Sequence, residues 1–180
     1  MLTIDQINER LAQVKERIRD AAIRSGRSSE DITLVAVTKT QSIETLGLAY
    51  EAGIRTVGEN RVQELNAKWP NFEDRFEWHL IGHLQTNKVK YIIDKVVLIH
   101  SVDSLKLAKE ISKQAEKSGV VMPVLIQVNP AEEASKFGLA ADEVVSLVKA
   151  ASELPGIRIE GLMTIAPFVE DEVFLRQVFR

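Results

Sequence analysis

The chain has 180 residues, 45% hydrophobic and 27% charged, which places it among folded globular chains and argues against wholesale disorder. With 23 basic and 26 acidic residues the formal charge is −3, which is not the footprint of a protein that grips nucleic acid by bulk positive charge. It has no cysteine, which excludes a disulfide framework, a thiolate metal site and a cysteine nucleophile. The length suits one domain spanning 1–180. The first twenty residues are charged throughout and lack the apolar stretch of a signal peptide. No apolar run approaches the roughly 20 residues of a membrane span. A soluble, cytoplasmic protein is the expectation.

The first element is an amphipathic helix over residues 4–25. Ile4, Ile7, Leu11, Val14, Ile18 and Ala21 fall on one face. Thr3 and Gln6 make a capping-box pair, and Gly26 supplies the stop. The chain then alternates. Strands are predicted at 32–38, 54–58, 77–82, 96–102, 121–128 and 157–165. Helices are predicted at 43–52, 61–69, 86–94, 105–117, 141–154 and 171–179. Six strand–helix units in strict alternation argue for a parallel sheet with crossover helices. Neither a Gly-x-Gly-x-x-Gly nor a Walker A pattern is present, so nucleotide-binding sites of those kinds have no support. An open doubly wound sheet and a barrel both remain. Eight such units would close a (β/α)₈ barrel, and this sequence carries six.

Functional groups in parallel α/β folds gather at the C-terminal ends of the strands. Those ends carry Thr38-Lys39, Gly58-Glu59-Asn60, His79 with Gly82-His83, His100-Ser101, Asn129 and Met163-Thr164. One amine, imidazoles and amides suit a carbonyl or phosphate compound better than metal-assisted hydrolysis. Strand alternation puts Lys39 on the face of Val35 and Val37, which reads as an amine leaving a packed interior. Desolvation there would raise its neutral fraction, as Schiff-base chemistry requires. The commoner use of such a lysine is a solvated strand end. His79 and His83 are four apart, which on a strand separates them by roughly 13 Å, too far to share a metal ion. The segment Gly82–Lys88 is a possible anion-receiving helix start, and Ser135-Lys136 a loop that could bring a second amine over a ligand. Met163 follows Gly161 on one face, where it could pack on a flat ring.

Five segments in order resemble one family. They are 34–40 around Lys39, 57–64 with Gly58-Glu59-Asn60, 78–88 with Gly82-His83-Leu84-Gln85, 135–138 with Lys136, and 161–165 with Met163. Their order and spacing are similar to those of the pyridoxal phosphate homeostasis proteins, relatives of the alanine racemase N-terminal barrel. The resemblance covers essentially the whole chain. It implies a (β/α)₈ TIM-barrel type fold binding pyridoxal 5′-phosphate at the C-terminal mouth. It implies an aldimine on Lys39, with Asn60, His79 and Met163 near the cofactor. It also implies a non-catalytic role in vitamin B6 balance, a monomer, and pyridoxal-phosphate apo-enzymes as recipients. The family pattern continues with a Ser-Met-Gly-Met-Ser-type and a Val-Arg-Ile-Gly-type segment. Neither is present here, so the barrel is expected to lack its last two strands. The alternative is a pyridoxal-phosphate amino-acid racemase. The only tyrosines, Tyr50 and Tyr91, fall in predicted helices, which does not favour that alternative.

Overall fold

The structure is a computed structural model that describes residues 2–130 and 137–179. Helix α1 spans Ile4–Arg24. Its capping box forms as the sequence predicts: the Gln6 N–H donates to Thr3 Oγ1 at 3.3 Å, and the Thr3 N–H donates to Gln6 Oε1 at 3.1 Å. Gly26, at φ 72°, follows the helix. Six strands come next: β1 (Ala36–Val37), β2 (Thr56–Glu59), β3 (Glu77–Leu80), β4 (Leu98–Val102), β5 (Met122–Gln127) and β6 (Ile157–Met163). The helices between and after them are α2 (Ile43–Glu51), α3 (Val62–Lys68), α4 (Leu105–Lys117), α5 (Val144–Ser152) and α6 (Glu172–Val178).

All five strand pairs are parallel, and the order is β1-β2-β3-β4-β5-β6. Each crossover therefore returns to the adjacent position. A doubly wound sheet would reverse direction from an interior first strand. Here β1 is an edge, so that alternative is excluded and the winding is of barrel type. Winding in one sense puts the helices on one face. The core fills the space between them and the strands, with Leu46, Leu65, Trp78, Ile99, Leu107, Ile111 and Ile126 fully buried or nearly so.

The other face of the strands is also packed at its start. A Cβ built on Gly58 would lie 2.9 Å from Ile81 Cδ1 and 3.1 Å from Val35 Cγ1. Gly58 is in register with Val37 on one side and His79 on the other. Val35, Val37, Gly58, His79 and Ile81 thus share the face away from the helices.

Three elements depart from the sequence expectation. The predicted strand 32–38 pairs only at Ala36 and Val37. The predicted helix 86–94 is a 3₁₀ segment, Thr86–Tyr91. Three residues per turn place Val89 and Ile92 on one side, and both are fully buried. The predicted helix 141–154 opens with a 3₁₀ turn, Ala141–Glu143, before α5. Ser135 and Lys136 lie outside the described residues.

Candidate functional site

The mouth at the C-terminal ends of β1, β2 and β3 carries the sequence-singled residues Lys39, Asn60 and, deeper, His79. Lys39 sits in the turn after β1 and is exposed. This is the solvated strand end, the commoner use of such a lysine, rather than an amine emerging from a packed interior. On its face Val37 is 51% exposed.

The turn itself is tightly held. The Gln41 N–H donates to the Thr38 carbonyl at 3.0 Å, and Thr40 takes a φ of 63°. A left-handed conformation costs a non-glycine residue about 1 kcal/mol or more, so the surroundings must enforce it. They do so from the helix side. Lys68, at the end of α3, is only 6% exposed. Its Nζ donates to the Thr38 carbonyl at 2.7 Å, to Glu59 Oε1 at 2.8 Å and to Glu64 Oε1 at 2.6 Å. The Thr38 hydroxyl donates to the same Glu59 oxygen at 2.7 Å. The Thr40 N–H donates to Glu64 Oε1. The Lys68 ammonium and the Thr40 N–H hold the Glu64 carboxyl below the usual carboxylate range, Lys68 contributing most.

Sequence reasoning listed Glu59 among the strand-end residues but missed Lys68 and Glu64. The signal was there in part. Glu64 and Lys68 are four apart, the spacing at which helix side chains meet. Nothing in that spacing says that the pair turns inward to a strand end.

On the opposite face, His79 Nδ1 and His100 Nε2 are 2.9 Å apart, one donating to the other. Burial lowers both imidazole pKa values. His100 falls to about 4, with the neighbouring His79 adding to the effect, while the Glu77 charge partly offsets the change at His79. Both rings are therefore neutral at pH 7. His79 finds its partner in His100 on the adjacent strand. His83 stacks on Phe137, with ring centroids 4.0 Å apart, and its Nδ1 lies 3.7 Å from Asp103 Oδ2. No group of three metal-ligating side chains occurs among the described residues.

Register relates the remaining residues. The Thr38 N–H donates to the Gly58 carbonyl, so Lys39 and Asn60 end neighbouring strands. His79 is level with Gly58, two residues deeper than Asn60, or about 6–7 Å along the strand. The exit of β3 crowds Asn60: a Cβ on Gly82 would lie 2.3 Å from the Asn60 carbonyl oxygen. Beside it a cleft of about 470 Å³ is lined by Arg61, Gln63, His83, Gln85 and Lys88 together with Asn60 and Val62. Met163 is level with Gln127 at the far edge of the sheet, so lateral pairing does not join it to Lys39. Next to it, the buried Thr164 hydroxyl has no hydrogen-bond partner among the described residues.

A parallel, singly wound sheet with an amine on the first strand end defines the class, and comparison with known proteins defines the family. The family model for the alanine racemase N-terminal domain matches residues 7–180. A pyridoxal phosphate homeostasis protein of Aquifex aeolicus is 44% identical over 173 residues, covering 96% of this chain and 76% of the relative. The solved structure of PipY from Synechococcus elongatus with PLP bound superposes with a TM-score of 0.81 at 33% identity, covering 97% of this chain and 77% of that one. An alanine racemase of Clostridium difficile, at 19% identity and a TM-score of 0.68, shares the fold. The chain belongs to the alanine racemase N-terminal domain family and, within it, to the pyridoxal phosphate homeostasis proteins.

Proposed function

We propose that the chain binds pyridoxal 5′-phosphate and serves in its intracellular homeostasis, with Lys39 as the covalent anchor and no catalytic turnover of its own. The observation that carries this reading is the exposed Lys39 amine, on a turn fixed by buried side chains, in a family with a solved member that holds the cofactor. When bound, pyridoxal phosphate supplies an aldehyde that passes reversibly between amines.

The residues present fit such a group. Lys39 offers a primary amine that solvent and an incoming amine can reach. The Asn60 amide lies at the neighbouring strand end. His79 and His100 are neutral, so they orient a ligand through one N–H and one lone pair without adding charge. Met163, expected near the cofactor from the family resemblance, lies on β6 at the other end of the strand order, and strand pairing does not by itself bring it to Lys39. An open mouth serves a carrier, which must hand its cargo to recipient apo-enzymes. The reading carries with it the family expectation of a cytoplasmic monomer; among the described residues no helix is long and apolar enough to cross a membrane. The racemase alternative rests on fold likeness alone.

The test is incubation with pyridoxal phosphate, borohydride reduction and peptide mass mapping. One pyridoxyl group on the Lys39 peptide, lost in Lys39→Ala, is the expected result. Label scattered over surface lysines, or none, sinks the assignment of Lys39.

A further inference from the structure

Lys39 is joined to its neighbours by two peptide groups, and α3 holds both. The carbonyl of the preceding peptide, on Thr38, accepts from Lys68 Nζ at 2.7 Å. The N–H of the following peptide, on Thr40, donates to Glu64 Oε1. Lys68 and Glu64 are bonded to each other at 2.6 Å, so one ion pair grips the backbone on either side of the amine. Glu59, fully buried, and the Thr38 hydroxyl complete the cluster from β2 and β1. We propose that Lys68 and Glu64 are positioning residues for Lys39, setting the direction in which its amine leaves the strand end.

The proposal rests on Lys39 being the cofactor anchor, and it follows from geometry and cost. A buried ammonium and carboxylate are expensive to desolvate, and apolar residues would fill the same volume at least as favourably. Charged groups are the better choice where backbone atoms must be held, because charge-assisted hydrogen bonds are the short, strong ones. What they hold includes a non-glycine residue at φ 63°, which would relax if released. Relaxation at Thr40 swings the Lys39 Cα–Cβ vector. A reacting atom displaced by about 1 Å loses up to a hundredfold in rate.

The experiment compares wild type with Lys68→Met, Glu64→Ala and Glu64→Gln. Glu64 has a side chain 23% exposed, so its variants leave the buried Lys68–Glu59 pair in place and keep the fold. Hydrogen exchange on the ligand-free chain reads the Thr40 amide. Its protection is expected to fall in Glu64→Ala and to return in Glu64→Gln, which keeps an acceptor oxygen. Borohydride trapping with pyridoxal phosphate, under conditions where each variant is folded by circular dichroism, reads the amine. Labelling of Lys39 is expected to slow about tenfold in Glu64→Ala and Lys68→Met and to stay within about twofold in Glu64→Gln. The exposed Lys113 serves as internal reference and should label equally in all four. A merely structural pair would lower stability and leave the Lys39-to-Lys113 ratio at the wild-type value, and that outcome overturns the proposal. Wild type failing to label Lys39 would instead overturn the anchor assignment, and the proposal with it.

Discussion

Strands β1 to β4 carry two buried polar clusters back to back, and their chemistry is opposite. On the helix side, Thr38, Glu59, Glu64 and Lys68 form a charged cluster whose ammonium is satisfied by three oxygens. On the other side, His79 and His100 form a neutral pair sharing one hydrogen bond. The difference lies in what each cluster faces. The charged cluster faces a backbone turn whose fixed carbonyl and N–H reward full charges. The imidazoles sit among apolar neighbours on the strands' other face, where burial strips their charge. Buried polarity thus serves as a fastening in one place and as a chargeless lining in the other.

The largest expected effect comes from breaking the charged cluster. Lys68→Met leaves Glu59 buried without its counter-charge and should destabilise the fold by about 3–5 kcal/mol in urea titrations. Adding Glu59→Leu should recover part of this, since the unpaired charge is then gone. A Lys68→Met variant as stable as wild type would remove the fastening role.

The neutral pair should reveal itself through pH. Both imidazoles have folded pKa values below the ordinary 6.5, His100 at about 4. Between those values the unfolded chain binds more protons than the folded one. Stability contributed by the pair is therefore complete above pH 6.5 and is lost progressively as pH falls toward 4. His100→Gln should flatten that window. Glu64 acts lower down. Its depressed carboxyl contributes stability above its unfolded pKa that is lost only as pH falls through the folded value, and His100→Gln should leave this limb intact. A wild-type profile level from pH 7 to pH 4 would refute the neutral-pair reading.

Gly82→Ala tests the mouth between the two clusters. Its new Cβ would meet the Asn60 backbone at 2.3 Å, and neither chain can yield without moving a strand end. A loss of about 2 kcal/mol is expected from overpacking, together with slower labelling of Lys39. Thr3→Ala is the control, at a residue that belongs to neither cluster. Removing the α1 cap should cost about 1 kcal/mol or less and leave the Lys39 labelling rate unchanged.

The sequence made the architecture legible because hydrophobic period and punctuation agree along most of the chain. Thr3, Gln6 and Gly26 marked the ends of α1, and apolar runs located all six strands. The 3₁₀ segment at Thr86–Tyr91 was misread as α-helix because Val89 and Ile92 fit either periodicity. At the mouth, strand-end position placed Lys39, Asn60 and His79 in a longer inventory, and the family resemblance picked them out of it. Their partners were not legible. Lys68 reads as the solvated end of an amphipathic helix, and only the docking of α3 on β2 turns it inward. The His79–His100 contact joins residues 21 apart in sequence, and strand pairing alone makes them neighbours. The exposure of Lys39 depends on what packs over the strand end from elsewhere in the chain, which alternation along one strand does not encode.

The unbroken order of the sheet bears on how the molecule is made. Val57 pairs with Trp78, His79 with Leu98 and Val124 with Ile159, so each strand meets its partner in the next stretch of chain to leave the ribosome. Among the described strands, each later one docks beside the one before it. Assembly can follow translation from the N-terminus, with each new strand–helix unit docking on an edge already formed. The Lys39 turn and its fastenings from β2 and α3 all lie within residues 38–68, so that turn can be fastened before β3 to β6 have docked.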